Sequence, residues 1–239
     1  MSDYAAGDDS SDFRTMSPIS PSAWAYAEAW LDDSEVIQEA RYLADDVGLT
    51  PVSHGTASLL TLLARLIGAG AVVEIGTGTG VSGAALLQGM AADGVLTSID
   101  IEAEHQRAAR DTFALLGYDH VRARLITGRA LEVLPRLSDH AYDIVFVDAD
   151  KGEYPAILAQ ASRLLREGGL IIFEQVLADG GIADPLRHDT DITALRHVVH
   201  TLRDEDHWLP SLLTVGRGLL VAALHRPLDD VTATPRERG

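Results

Sequence analysis

An α/β fold with a mostly parallel sheet, helices on both faces and an antiparallel hairpin at the C-terminal edge is what this sequence predicts. Three observations carry the reading. Five short strand-like runs alternate with stretches whose apolar residues recur at helical spacing, the pattern of a parallel sheet covered on both sides. The first of those runs opens into glycines at every second position, in "VVEIGTGTGVS" over residues 72–82. The last apolar stretch, "LPSLLTVGRGLLVAALHR", is broken at Gly216 and Gly218 and reads as two strands, which brings the sheet to seven.

The elements follow in order. "SAWAYAEAWL" and "SEVIQEARYLADDVG" are helical, the second with Ser34 as N-cap and Gly48 as its stop. "TASLLTLLARLIGAG" is a third helix, ended by glycines. The alternation then begins: strand "AVVEIG", helix "VSGAALLQGMA", strand "GVLTSID", helix "EAEHQRAARDTFALLG" and strand "RARLITG". It continues through a short helix "ALEVLPRL", strand "YDIVFVDAD", helix "YPAILAQASRLLREGG" and strand "LIIFEQ". "TDITALRHVVHTLRDED" is a last helix before the terminal hairpin.

With 239 residues the chain suffices for one such domain, and residues 22–226 contain neither repeat nor linker. The stretch "MSDYAAGDDSSDFRTMSPISPS" is polar and acidic, so a disordered tail is expected over residues 1–21, and residues 227–239 read as a loose tail. No apolar run approaches the roughly 20 residues that span a bilayer. The N-terminus lacks the basic-then-apolar pattern of a signal peptide, so a cytoplasmic protein without a membrane partner is expected. The absence of cysteine excludes disulfides and thiolate metal sites. A net charge of −17 repels phosphate backbones and speaks against a nucleic acid partner. The best local basic patch, Arg122, Arg124 and Arg129, reads more readily as a solvated strand edge.

The glycine loop carries the functional signal. A dinucleotide fingerprint, G-x-G-x-x-G, would place its third glycine at position 81, which is Val81. The glycines are Gly76, Gly78 and Gly80 instead, behind Glu74. In an open parallel sheet this loop lies at the crevice beyond the strand ends, where glycines allow close approach of a ligand. An acid at its mouth argues against a phosphate and suits a cationic end. The next strand ends at Asp100, whose carboxylate can accept from both hydroxyls of a ribose. A ribonucleoside with a positive, unphosphorylated far end is indicated, and S-adenosylmethionine has that form.

From about Tyr26 to Leu224 the chain resembles the class I S-adenosylmethionine-dependent O-methyltransferases of the catechol and caffeoyl-CoA type, especially small bacterial members. The segments "LLARLIGAGAVVEIGTGTGVS", "GVLTSID", "ALEVLP", "YDIVFVDADKGEYP", "RLLREGGLII" and "LLTVGRGLLVA" fall in family order, "VDADK" with its following tyrosine being the most specific. The resemblance implies a single Rossmann-like methyltransferase domain. It implies that Val52 and Ser53 cover the methionine end of the cofactor, that Glu74, Gly76, Thr77 and Gly78 line its crevice, and that Ser82 lies near its carboxylate. Asp100 is implied at the ribose with Ile101 beside it, Gly128 and Ala130 at the adenine side, and Asp148 as a further cofactor-binding residue. Two positions depart from the family: Arg129 stands for an acid, and Val81 for a common tyrosine.

The resemblance also implies a chemistry. A phenol, with a pKa near 10, needs a base or a metal to react at neutral pH. In the family the lysine of "VDADK" is the base, here Lys151, with Asp148 also catalytic. A divalent metal, magnesium or manganese, is implied on Asp148 and an Asp-Asn pair, which this chain replaces by Glu174-Gln175. Each is one methylene longer, and magnesium demands near-ideal octahedral geometry. Asp150 is either a substitute ligand or a loop acid. The loop "ADGGIADPLRHDTD" is expected to rim the acceptor pocket; His188 within it reads as an exposed loop residue. Trp24, Trp30 and Trp208 either wall an aromatic acceptor or pack helices. The reading is therefore O-methyl transfer to a small aromatic hydroxyl substrate by a homodimer joined through its N-terminal helices. A metal-independent enzyme acting on a natural-product intermediate and a non-catalytic cofactor-binding protein are the alternatives.

Overall fold

The computed structural model describes residues 19–225. The tails expected at the two ends lie outside these residues, except for 19–21, where Ile19 is exposed and Ser20 and Pro21 already belong to a helix start. Helix α1, Pro21–Glu28, begins with proline at its first position and with the Ser20 hydroxyl accepting from Ala23 N. Helices α2, Glu35–Asp46, and α3, His54–Leu66, are capped by Ser34 and Ser53. The alternating part runs β1 (Ala71–Ile75), α4 (Val81–Gly89), β2 (Val95–Asp100), α5 (Ala103–Leu115), β3 (Ala123–Thr127) and α6 (Ala130–Val133). It goes on through β4 (Tyr142–Val147), α7 (Tyr154–Leu164), β5 (Leu165–Phe173), α8 (Thr190–Asp204), β6 (Trp208–Leu213) and β7 (Leu219–Leu224).

The seven strands form one sheet in the order β3-β2-β1-β4-β5-β7-β6. The pairs among β1 to β5 are parallel, and β7 runs antiparallel to both β5 and β6. This agrees with the predicted class, and β7 is inserted inside the edge that β6 forms. The pleat divides the core in two. Val73, Ile75, Val145, Val147, Ile171 and Phe173 face α7 and α8, while Val72, Leu96, Ile144, Phe146 and Ile172 face α3, α4 and α5. Each such side chain, fully buried, contributes roughly 1.5–3 kcal/mol.

One boundary differs from the sequence reading. The helix expected to run to Gly169 ends at Leu164, because Leu165 already pairs with Tyr142. The register then jumps to Ile144↔Leu170, leaving 166–169 outside the ladder. Helix-forming residues lose here to tertiary pairing. The order of strands reverses between β1 and β4, and a cleft opens beyond their C-terminal ends, where such sheets bind ligands.

Candidate active site

The cleft has a volume of about 510 Å³. Its floor is the loop after β1. Gly76 has φ +95°, and a Cβ there would stand 1.9 Å from the Asp148 carbonyl oxygen, so only glycine lets β1 leave across the end of β4. Gly78, φ +50°, has open space where a Cβ would be, the nearest atom being Leu49 Cδ1 at 3.9 Å. The loop therefore faces the segment 48–52 across a gap, and Val52 lines that opposite wall. Val81, where a dinucleotide site would need glycine, is the buried first residue of α4.

Asp100 organises this end. Its Oδ2 accepts from Thr77 N at 2.9 Å and Gly78 N at 3.1 Å, and its Oδ1 from Glu102 N at 2.9 Å. His105 Nδ1 lies 3.2 Å from Oδ1. The carboxylate lines the cleft beside Ile101, with Gly128, Arg129 and Ala130 on the same side. Arg129 is turned to Glu153, at 2.6 Å. Thr77 and Ser82 line the cleft as well, but Glu74 lies beneath it, fully buried. Its Oε1 accepts from the Ser82 hydroxyl at 2.7 Å and its Oε2 from the Ser98 hydroxyl at 2.5 Å. Burial pushes this carboxyl up to about 7, against the pull of the two hydroxyls. Glu74 thus ties α4 and β2 to the loop from below and does not itself face the cleft.

At the other end stand Asp148, Lys151, Gln175 and Arg217. Lys151 Nζ donates to Ala149 O at 3.3 Å, lies 3.7 Å from Asp148 Oδ1, and is 5.6 Å from the centre of the Tyr154 ring. Asp150 caps Gly152 N at 2.9 Å, which makes it a loop acid. Tyr154 is buried, and its hydroxyl donates to Glu174 O at 3.1 Å, bracing the end of β5. His188 is exposed. Trp24 and Trp30 border a second cavity of about 450 Å³ beside α1, and Trp208 is packed in the core; none of the three lines the cleft.

The sequence profile of the O-methyltransferase family matches residues 28–224. A probable O-methyltransferase of Mycobacterium tuberculosis is 45% identical over 201 residues, 84% of this chain and 90% of that one. This chain belongs to the O-methyltransferase family. Two solved structures are similar to it. TomG of Streptomyces achromogenes, an O-methyltransferase involved in tomaymycin synthesis and solved with S-adenosylmethionine, is 28% identical with a TM-score of 0.78, over 84% of this chain and 95% of that one. The O-methyltransferase of Bacillus cereus in complex with S-adenosylhomocysteine is 25% identical with a TM-score of 0.76, over 84% and 95%. The protein is accordingly an S-adenosylmethionine-dependent O-methyltransferase.

In this O-methyltransferase the cleft fits the cofactor: the Asp100 carboxylate lines one end and the open side of the glycine loop faces the gap. The divalent ion implied by the resemblance does not fit in the same way. Gln175, at φ +58°, sets its amide nitrogen 3.2 Å from Asp148 Oδ1, so the amide donates to that carboxylate. Glu174 is buried off the cleft, with Oε1 accepting from the Thr56 hydroxyl at 3.4 Å and Oε2 without a partner. Among the described residues no group of three or more His, Cys, Asp and Glu is spaced to hold a metal ion. The three expected donors are neighbours that do not converge.

Sequence reasoning missed several residues that shape this O-methyltransferase. His105 and Gln106, on the first turns of α5, reach back to Asp100 and to Thr77 Oγ1 (2.8 Å from Gln106 Nε2). Their only signal is a position just after the strand-ending acid. Glu28 joins distant parts, accepting from Gly55 N at 3.1 Å and Gly216 N at 2.7 Å. Arg122 donates to the carbonyls of Gly94 and Ala92, both at 2.5 Å, so it caps a turn and forms no open basic patch.

Glu174 also makes stability depend on pH. Burial, with the nearby Asp148 charge, pushes its carboxyl from 4.5 up to about 8. The folded chain then holds this proton more tightly than the unfolded chain. Its contribution is whole below the free value and is lost as pH rises through the folded one. Glu74 adds a similar loss that begins at the free value and levels off as pH passes through about 7. Denaturant melts should show wild type still losing stability between pH 7 and 8, by up to about 1.4 kcal/mol, and Glu174→Gln nearly flat there. Parallel curves for the two proteins would mean that the carboxyl is ionised in the fold already at pH 7.

Proposed function

We propose that this enzyme methylates a hydroxyl of a small aromatic acceptor of the catechol or caffeoyl kind, with Lys151 receiving the acceptor proton. The carrying observation is the continuity of one cleft from Asp100 and the glycine loop to Lys151 and Asp148. When bound, S-adenosylmethionine supplies a methyl group whose C–S bond breaks as the new C–O bond forms, the electron pair leaving on sulfur. Asp100 holds the loop and presents its carboxylate to the cleft, where the ribose hydroxyls would take the place of the His105 contact, with Gly128 and Ala130 alongside. Asp148 and the Ala149 carbonyl position the lysine amine at the acceptor end. Tyr154 braces the end of β5 beside that end, and of the loop expected to rim it only the preceding Gln175 lines the cleft.

A natural-product intermediate as acceptor is the second reading, favoured by the likeness to TomG, a protein involved in tomaymycin synthesis. A screen over catechols, caffeoyl esters and flavonoids, following methyl transfer, separates the two; no transfer to any of them removes the first. A homodimer through α1 and α2 belongs to the same reading, supported by the exposed rings of Trp24, Tyr26, Trp30 and Tyr42.

The cofactor end has its own test. Asp100→Ala should weaken binding of S-adenosylmethionine by about 1.5–3 kcal/mol, the loss expected for charge-assisted hydrogen bonds. Calorimetry reads this directly, and an unchanged affinity would remove Asp100 from the ribose site.

A further inference from the structure

The acceptor end of the cleft carries positive charge of its own. Arg217 lines it together with Lys151, Asp148 and Gln175. Arg217 sits in the turn between β6 and β7, where the backbone is fixed: Val176 N donates to Gly218 O at 3.0 Å and Leu177 N to Arg217 O at 3.3 Å. A Cβ on Gly218 would come within 2.3 Å of Leu177 Cγ, so the turn lies hard against the segment that follows Glu174 and Gln175. The guanidinium forks onto Asp179, with Nη2–Oδ2 at 2.6 Å and Nε–Oδ1 at 3.3 Å. It also feels the charges of Asp148 and Glu174. Asp179 is largely exposed, and a pair so open to solvent is worth little. Asp179 therefore keeps the arginine at the mouth of the cleft without locking it there. Asp148 faces the positive side chains of Lys151 and Arg217, and Glu174 is turned off the cleft to Thr56.

We propose that Arg217 supplies the permanent positive charge that orients and favours the ionised form of the acceptor hydroxyl, and that transfer by this enzyme runs without a divalent ion. The inference rests on the aromatic-acceptor reading and deepens it. A guanidinium is always charged and presents several N–H donors in one plane, so it can meet two adjacent ring oxygens together. The side chain is nearly half exposed, so its effect on a developing oxyanion comes through direct charge-assisted hydrogen bonds. Arg217 lies 42 residues or more beyond the other acceptor-end residues in sequence (217 − 175 = 42), and only the hairpin brings it there.

The experiment uses the full chain, freed of metal by chelator and loaded with S-adenosylhomocysteine. The probe is 4-nitrocatechol, whose visible absorption reports its ionisation. Bound to wild type in chelator, the probe should ionise at a pH about one unit lower than when free. Arg217→Ala should abolish that shift and Arg217→Lys should keep part of it. Asp179→Ala, which breaks the ion pair but keeps the cation, should leave the shift in place, so a loose turn alone does not account for the result. In parallel, the resonance signal of free manganese should stay undiminished on adding stoichiometric protein. A shift equally present in Arg217→Ala would overturn the role of the arginine. Stoichiometric manganese uptake that Glu174→Ala abolishes would overturn metal independence. Failure of the probe to bind wild type would remove the aromatic-diol reading and the arginine's role with it, while the manganese titration would still decide about the ion.

Discussion

Lys151→Ala is expected to lower turnover by about 10²–10⁴ while leaving affinity for S-adenosylmethionine nearly intact. The separation follows from where the residue stands. Its amine borders the acceptor end, held by the Ala149 carbonyl and facing Asp148, whereas Asp100 holds the loop at the other end. Loss of the amine removes a proton acceptor and a charge, and the change falls on the transfer step. The side chain is only about one-fifth exposed, so its removal also opens space beside the Tyr154 ring. Chemical rescue by added primary amines would mark the loss as one of chemistry and not of packing. A variant with near wild-type turnover would show that the acceptor proton leaves by another route.

Gly76→Ala should cost on the order of 3–5 kcal/mol of stability, or leave a folded chain that no longer binds the cofactor. Two penalties add. An alanine must adopt φ +95°, and its Cβ must displace the Asp148 carbonyl oxygen 1.9 Å away. That carbonyl is backbone, and Asp148 N is itself bonded to Ile75 O at 2.8 Å, so the end of β4 has to move. Asp148 moves with it, and both ends of the cleft are disturbed at once. Gly78→Ala is the matching control, since its Cβ meets no atom closer than 3.9 Å and only the strained φ remains. Equal stability and affinity in the two variants would mean that the loop is not seated against β4 as described. Denaturant midpoints and calorimetry distinguish these outcomes.

The parts of the fold that were legible in the sequence are those set by local pattern. The strand–glycine–helix unit over 71–89 shows because buried β-branched residues, glycines of positive φ and a helix follow one another without a gap. The terminal hairpin shows because Gly216 and Gly218 interrupt an apolar run. Asp148 and Glu174 were legible as neighbours, since they follow the paired residues Val147 and Phe173. What they do there was not. The positive φ of Gln175 turns its side chain, and nothing in the local sequence demands that turn. Glu74 illustrates a different limit. Read as a lone acid before glycines, it suited a cationic ligand; the pleat puts it on the face of Val72, under α4, where serines receive it. Arg217 and Asp179 meet across 38 residues, and Glu28 and Gly216 across 188, separations that no motif spans. The early end of α7 belongs to the same class, for the pairing of Leu165 with Tyr142 is visible only in three dimensions.

The insertion of β7 between β5 and β6 bears on how the chain is made. Residues 174–218 are synthesised after β5 and before β7 begins. At about 5–20 residues per second, translation leaves β5 with one open edge for a few seconds. That edge includes Leu170 to Phe173, a strongly apolar run whose backbone partners are Leu220 to Ala223. An unpaired strand of this kind invites other strands. Helix α8, emerging in the interval, can cover one face of the nascent sheet but cannot occupy its edge. The newborn chain therefore needs shielding just before its last strand emerges, and ribosome stalling in that interval should raise aggregation above that of the freely translated chain.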